Sequence, residues 1–128
     1  MYPYGLVGNC QTSALIGTHG AVEWMCAPRP DSPPVFGRLL DPDGGHFSIT
    51  SPLPPSVLKT EQRYLPNTNV LLTTVTLPNG DAFQITDFCP RFEQYGRIYR
   101  PAALFRLVEP LQGTPVIHVS CRPVSGWD

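Results

Sequence analysis

Four acidic side chains are the residues whose type could support catalysis: Glu23, Asp31, Asp87 and Glu93. Hydrolysis by general acid–base catalysis needs two carboxylates that face each other across a cleft, one of them with a raised pKa. Nothing in the spacing of these four residues requires any two of them to converge. A chain of 128 residues also has little room for both a core and a deep cleft. The sequence therefore predicts no catalytic residue.

Histidine and cysteine spacing gives no metal-binding pattern. The histidines stand alone, at His19, His46 and His118. The cysteines are likewise dispersed, at Cys10, Cys26, Cys89 and Cys121. Zinc sites usually draw on closely spaced pairs such as Cys-x-x-Cys, so we expect neither a metal nor a cofactor. The cysteines allow two disulfides, but the sequence shows no export signal, so reduced thiols in a cytoplasmic protein are the simpler interpretation.

The composition limits the classes of fold and partner. The chain has 16 prolines, and each proline inside a helix costs about 3 kcal/mol, so long helices are nearly excluded. Charged residues make up 15% and the net charge is -1, with the arginines scattered along the chain. No basic run reaches the density that attracts nucleic acid. No apolar run is long enough to cross a membrane.

Short β-prone runs separated by turn residues indicate an all-β fold. The predicted strands are residues 13–16, 21–25, 46–50, 69–77, 82–88, 102–108 and 116–122. Glycines at both ends of residues 17–20 predict a hairpin between 13–16 and 21–25, and Asn79-Gly80 predicts a tight hairpin between 69–77 and 82–88. Along residues 82–88, alternation puts Phe83, Ile85 and Asp87 on one face. We expect the last two strands to form a hairpin, with Ile117, Val119 and Cys121 facing the core. Ser32 followed by Pro33 resembles a helix N-cap, which predicts one short helical turn near residues 33–40. The pattern as a whole predicts a single antiparallel β-sandwich domain over residues 1–128.

Trp24 and the proline-rich residues 28–36 are the candidates for a binding surface. Trp24 could stack on a sugar ring, but a core or interface anchor is the better interpretation of a tryptophan at the end of a hairpin. Asp31 could be a carboxylate held by a stiff loop, yet Asp31 and Ser32 more simply cap the short helical turn. Holding a proline-rich backbone in place at the edge of a cleft costs little conformational entropy.

Several segments, taken in order, resemble the opening of glycoside hydrolase family 15 proteins, the bacterial glucoamylase- and trehalase-like enzymes. The matching segments are LVGNCQTSAL at 6–15, GAVEWMCAPR at 20–29, DSPPVF at 31–36, GGHF at 44–47, NTNVL at 67–71, TDFCPRF at 86–92 and GTP at 113–115. Each segment alone is weak evidence for the resemblance, whereas the ordered set is specific and spans nearly the whole chain.

The resemblance implies an N-terminal β-sandwich that precedes a C-terminal α/α-barrel catalytic domain of the same protein. Both catalytic glutamates of that family lie in the barrel, so no catalytic residue is carried over to this chain. The family's β domain tends to be longer, so this chain is expected to hold part of one. We expect an accessory domain that supports the barrel, with Trp24, Arg29, Asp31, Ser32 and Phe36 at the interface or at the substrate rim.

Two other functions remain open at this stage. One is a carbohydrate-binding module in which Trp24, Trp127 and the tyrosines stack on a glucan or on trehalose. The other is an interaction domain, since the isolated fragment would expose an apolar patch and associate as a homodimer.

Overall fold

The computed structural model describes residues 4–125 and has the predicted all-β antiparallel architecture. Trp127 therefore lies outside the described residues. The strands are β1 (Tyr4–Gly8), β2 (Ser13–Gly17), β3 (Val22–Cys26), β4 (Pro34–Phe36), β5 (His46–Thr50), β6 (Lys59–Tyr64), β7 (Leu71–Thr76), β8 (Ala82–Phe88), β9 (Phe92–Gln94), β10 (Arg97–Tyr99), β11 (Phe105–Gln112) and β12 (His118–Arg122). No helix within residues 4–125 has the length and apolar character to cross a membrane.

The first sheet, sheet A, runs in the order β1-β2-β3-β5-β12, and β4 also pairs with β3. The predicted hairpin between β2 and β3 forms because its turn carries glycines: the Gly17 amide donates to Ala21 O at 2.8 Å, and Gly20 has a φ of +85°. A left-handed φ is readily adopted only by glycine. Gly20 also lies so close to the second sheet that a Cβ there would meet Ile85 Cδ1 at 2.8 Å.

The second sheet, sheet B, runs in the order β11-β8-β7-β6. Its central hairpin joins β7 to β8 through the predicted Asn-Gly turn, in which Gly80 has a φ of +92°. The Leu77 amide closes this turn by donating to Asp81 O at 2.8 Å. The Asp81 amide donates to Asn79 Oδ1 at 3.0 Å, the local bond that makes asparagine favourable in turns.

Two apolar clusters fill the space between the sheets. One cluster joins Val7, Ile16 and Val22 of sheet A to Leu71 of sheet B. The other joins Ile49 of sheet A to Val75, Phe83 and Ile85 of sheet B. Because each cluster draws on both sheets, the sheets face each other as a sandwich.

The helical turn predicted near residues 33–40 is wrong in position. Pro34–Phe36 forms β4, which pairs with β3 and places Phe36, 8% exposed, in the core. Edge pairing suits Pro34, which has no N–H for an inner ladder. The chain then turns, with the Gly37 amide donating to Gly44 O at 2.8 Å. The helical element described in this chain is a single 3-10 turn at Pro55–Val57.

The hairpin predicted between the last two strands is also wrong. β11 pairs with β8 in sheet B, whereas β12 pairs with β5 in sheet A. Val119 pairs with Ile49 and shares its inward face, as predicted, but it is 57% exposed. β12 is the edge strand of sheet A, so it has a neighbouring strand on one side only.

Strands β9 and β10 form a two-stranded hairpin that belongs to neither sheet. We call residues 91–100 the arm. Every residue of the arm is exposed. The arm is inserted between the end of β8 and the start of β11, so its base stands at one end of the sandwich.

Candidate functional site

Four connections gather at the end of the sandwich from which the arm projects, and we call this region the loop end. They are the β1–β2 turn at 9–12, the β3–β4 loop at 27–33, the β6–β7 loop at 65–70 and the arm. Hydrogen bonds tie the other connections to the β1–β2 turn. Thr12 Oγ1 donates to Cys26 O at 3.4 Å, and Asn69 Nδ2 donates to Gly8 O at 2.8 Å. A hollow of about 490 Å³ opens there between Asn69, Phe88 and Phe92.

Asn9 is the residue that joins the arm to the β1–β2 turn. Its side-chain amide donates to Pro90 O at 2.7 Å and to Pro101 O at 2.9 Å, the two carbonyls that flank the arm. Its Oδ1 accepts the amides of Gln11 and Thr12, both at 3.0 Å. Asn9 is only 4% exposed, and its side chain makes all four hydrogen bonds that an asparagine commonly supports.

Three of the predicted site residues lie together on the β3–β4 loop. Arg29 Nε stands 3.4 Å from Asp31 Oδ1, and both side chains are largely exposed. Ser32 Oγ accepts the Arg29 amide at 3.2 Å, and the Ser32 amide donates to Arg29 O at 3.0 Å. Because no helix follows Ser32, this local bonding replaces the predicted helix cap and orders the loop itself.

The other two predicted site residues occupy the sheet behind this loop. Trp24 is half-buried in β3, opposite Leu15 of β2. Phe36 instead lies in the core, with its ring 6.0 Å from that of Phe47. Phe36 therefore supports the loop from beneath and does not present its ring at the surface.

The most strongly bonded charged group in the described part of the chain is Arg106, inside the sandwich. Arg106 Nε stands 2.6 Å from Asp87 Oδ1, and their side chains are 2% and 0% exposed. The guanidinium also donates to Phe47 O at 3.0 Å and to Gly20 O, and it lies 4.9 Å from the centre of the Phe47 ring. Asp87 and Arg106 belong to sheet B, whereas Phe47 belongs to sheet A and Gly20 to the turn that joins β2 and β3 of that sheet. Arg106 therefore bonds both sheets at once.

Burial shapes the acidity of two neighbouring groups. Loss of hydration raises the pKa of Asp87, and the hydrogen bond and charge of Arg106 oppose that rise. Burial also raises the pKa of the Cys89 thiol to about 11, with a smaller contribution from the charge of Asp87. Cys89 is thus held as a neutral thiol, unlike a nucleophilic cysteine, whose pKa is lowered.

The acidic residues considered at the outset lie in different surroundings. Glu23 stands 3.9 Å from Arg38, Asp31 pairs with Arg29 and Asp87 pairs with Arg106. Glu93 is exposed on the arm. Among residues 4–125, no group of three His, Cys, Asp or Glu side chains is placed to hold a metal ion.

Sequence reasoning missed the roles of Asn9, Arg106 and the arm. The strand alternation did place Asp87 on the same inward face as Phe83 and Ile85, and a buried carboxylate requires a cation or several donors. That requirement was the feature of the sequence that could have indicated a buried cation such as Arg106. Asn9 and the arm had no comparable signal, because their bonds join positions 81 and 92 residues apart.

Similarity to known proteins points to a family for this chain. Residues 3–123 match the protein family described as "Trehalase-like, N-terminal". No solved structure gives a significant match to the chain.

Several curated relatives are trehalases. The chain is 49% identical over 133 aligned positions to the trehalase of Mycolicibacterium smegmatis, covering 94% of this chain and 20% of that protein. It is 35% identical to the trehalase of Mycobacterium tuberculosis, covering 94% and 19%. It is 47% identical over 90 positions to Trehalase 1 of Sulfolobus acidocaldarius, covering 70% and 15%. The chain thus spans about a fifth or less of the length of these relatives.

Proposed function

This chain belongs to the trehalase-like N-terminal family, and from that premise we propose that it is the non-catalytic β-sandwich domain of a longer glycoside hydrolase. The parent protein would be a family 15 enzyme, glucoamylase- or trehalase-like, that cleaves an α-glucoside by an exo mechanism. The observation that carries the proposal is the family match over residues 3–123, together with relatives of about five times the length. The partner of this domain is then a C-terminal α/α-barrel catalytic domain in the same polypeptide.

The interior of the domain supports a scaffold role. The charged pair Asp87 and Arg106 fills the space between the sheets and is fully hydrogen-bonded, which leaves it no access to a substrate. Rigid scaffolds commonly carry functional residues on their loops. In this chain the bonded connections of the loop end provide such a surface.

We propose that the β3–β4 loop contributes to the interface with the barrel or to the rim of its cleft. Trp24, Arg29, Asp31 and Ser32 are the residues concerned, with Phe36 as the buried support beneath them. Arginine, aspartate and serine side chains suit the hydroxyl groups of a glucan or of trehalose, because they offer both donors and acceptors.

We propose further that the β domain of the parent protein continues beyond these residues. Sheet A has two more strands than sheet B. Val119 on the inward face of β12 is 57% exposed. An additional strand paired with β11 would extend sheet B over Val119. It would also supply hydrogen-bond partners for the unpaired backbone groups along the free edge of β11.

The experiment is a domain exchange in the M. smegmatis trehalase. The segment of that enzyme that matches this chain is replaced by residues 1–128, and glucose release from trehalose is measured for the chimera and for the isolated chain. We expect hydrolysis by the chimera and none by the isolated chain. Hydrolysis of trehalose or of a maltooligosaccharide by the isolated chain would contradict the proposal.

A carbohydrate-binding module is the second candidate, and one hollow favours it. This hollow of about 590 Å³ is lined by Tyr4, Tyr64 and the polar side chains of Glu61, Gln62 and Arg63. Titration of the isolated chain with trehalose and maltooligosaccharides, followed by tryptophan fluorescence, separates the candidates. A saturable response that Tyr64→Ala removes would favour the binding module.

We also propose that the protein works in the reducing cytoplasm. Cys10, Cys26, Cys89 and Cys121 are all free thiols in the structure. Mass spectrometry of protein alkylated in cell lysate tests this proposal. Four alkylated cysteines are expected, and any native disulfide would contradict it.

A further inference from the structure

We propose that the arm, residues 91–100, together with Phe88, Phe105 and Leu107 at its base, is the surface that docks the downstream part of the longer polypeptide. This inference rests on the proposed function and names the contact surface that the function requires. It differs from the β3–β4 loop, because it places the main apolar contact on the arm and on the outer face of sheet B.

The arm exposes several large apolar side chains in a short hairpin. The rings of Phe92 and Tyr99 stack with centroids 5.3 Å apart and planes 14° apart. Ile98 is 58% exposed and Tyr95 is 87% exposed. An isolated two-stranded hairpin is at best marginally stable in water. Large exposed apolar groups gathered in one place are typical of an interaction site.

The base of the arm is held by a buried and fully hydrogen-bonded side chain. Asn9, 4% exposed, donates to both carbonyls that flank the arm, at Pro90 and Pro101. One buried amide therefore holds the two strands of the arm together at their base. An arm whose base is already fixed loses less conformational freedom when a partner binds, which favours docking.

The apolar surface continues from the arm onto the outer face of sheet B. Phe105 lies opposite Phe88 in the register of β11 and β8, and their ring centroids are 5.6 Å apart. Leu107, two residues along β11, points to the same face, and both Phe105 and Leu107 are 50% exposed. The strands that carry these residues are the ones that lead into the arm and out of it.

The downstream polypeptide is the occupant that the observations favour. The relatives are about five times longer than this chain, so most of the partner surface belongs to the same molecule. The arm carries Arg91, Arg97 and Arg100 against Glu93, whereas the whole chain has a net charge of -1. The matching face should therefore be apolar at its centre and acidic at its edge.

Hydrogen–deuterium exchange tests the inference, using the isolated chain and the M. smegmatis chimera. We expect amides of residues 91–100 and 105–107 to exchange about tenfold or more slowly in the chimera. The unmodified M. smegmatis trehalase provides the same comparison if the chimera fails to fold, because its aligned segment covers 94% of this chain.

Two isomeric side chains provide the matched variants. Ile98→Ala removes apolar surface from the arm, and Leu40→Ala removes it from a side chain that is 70% exposed in the β4–β5 connection. We expect Ile98→Ala to reduce the protection of the arm in the chimera and Leu40→Ala to leave it unchanged. Neither variant should alter the Tm of the isolated chain.

The outcomes separate this inference from the proposed function. Protection of residues 28–36 with an unprotected arm would overturn the inference and leave the proposed function standing. A chimera with no protected surface at all would count against both. Protection of the arm in the isolated chain, with a doubled mass by light scattering, would assign the surface to a second copy and overturn the inference. Protection of the arm by trehalose alone would assign it to sugar and likewise overturn it.

Discussion

At the level of single residues, Asp87 and Arg106 show how a charged pair can be kept inside a small sandwich. Every nitrogen and oxygen atom of the two charged groups has a hydrogen-bond partner. The partners include the carbonyls of Phe47 in sheet A and of Gly20 in the β2–β3 turn. A buried ion pair often stabilises a fold no better than apolar residues would, because desolvation offsets the attraction. Breaking the pair, however, leaves a buried charge without a partner.

The first prediction concerns that unpaired charge. Arg106→Met should lower the free energy of unfolding by about 3–5 kcal/mol. The double variant Asp87→Leu/Arg106→Met should lose less, because no charge then remains in the core. Urea unfolding monitored by circular dichroism measures both, with Arg63→Met on an exposed side chain as the control. Equal losses in the single and double variants would contradict the argument.

The pH dependence of Arg106→Met has a definite sign. Burial raises the pKa of Asp87, and the variant lacks the hydrogen bond and charge that oppose the rise. The folded-state pKa then lies above the unfolded one, so the folded state binds the proton more tightly. The variant should therefore gain stability as the pH falls through the folded-state pKa and lose it as the pH rises.

The second prediction concerns Cys89. Burial raises the pKa of its thiol from 9.0 to about 11, so the unfolded chain loses this proton first as the pH rises. Stability should therefore fall between pH 9.0 and about 11, and Cys89→Ala should remove that part of the slope. Iodoacetamide at pH 8 should modify the exposed Cys10 and Cys121 well before Cys89. Equal alkylation rates at all three positions in the folded protein would be inconsistent with this environment.

Residue-level features were only partly predictable. Alternation along β8 placed Asp87 inside with Phe83 and Ile85, because side chains of a strand alternate between its faces. Its partner Arg106 depends on the register of β11 against β8, which no local pattern specifies. The same holds for Asn9, whose two long-range bonds exist only after the arm is in place.

At the level of secondary structure, tight turns with glycine were the reliable signals. The β2–β3 and β7–β8 hairpins form as predicted because Gly20 and Gly80 supply the left-handed conformations that their turns require. Two other predictions failed for tertiary reasons. Residues 34–36 form an edge strand because pairing with β3 buries Phe36, and β11 pairs with β8 across the arm and not with its sequence neighbour β12.

The third prediction separates backbone strain from packing in these turns. Gly20→Ala and Gly80→Ala place a side chain at similar φ values, +85° and +92°. Only at Gly20 does the new Cβ meet the core, at 2.8 Å from Ile85 Cδ1, whereas at Gly80 the nearest atom is 4.0 Å away. Gly80→Ala should cost about 1 kcal/mol, and Gly20→Ala about 1–3 kcal/mol more.

Thermal unfolding of both glycine variants provides the measurement. Equal shifts in Tm would mean that the core yields to the added methyl group. The close approach of the β2–β3 turn to sheet B would then make no measurable contribution to the free energy of unfolding.

At the level of the whole molecule, the two sheets do not match in width. Sheet A has six strands and sheet B has four, and Val119 on the inward face of the edge strand β12 is 57% exposed. Sequence composition predicted the sandwich but not this mismatch, because the alternation along residues 116–122 gives the same pattern whether or not a second sheet lies above. Val119 therefore leaves apolar surface open to solvent on the inward face of an edge strand.

The fourth prediction follows from that uncovered face. The isolated chain should associate as its concentration rises, and Val119→Lys should reduce the association by placing a charge on the inward face of β12. Val57→Lys, on a 47% exposed side chain of the 3-10 turn, is the matched control and should have no effect. Sedimentation velocity over a concentration series measures the difference. A wild-type chain that stays monomeric throughout would refute the prediction.

The position of Arg106 also determines how the domain comes apart. Its guanidinium bonds a carboxylate of sheet B, a carbonyl of sheet A and a carbonyl of the turn between β2 and β3. Separation of the sheets would therefore leave these buried polar groups without partners. A half-open form would hold an unsatisfied charge in an apolar interior. The domain should consequently melt in one all-or-none step, and fragments cut between the sheets should not persist as independent folded units.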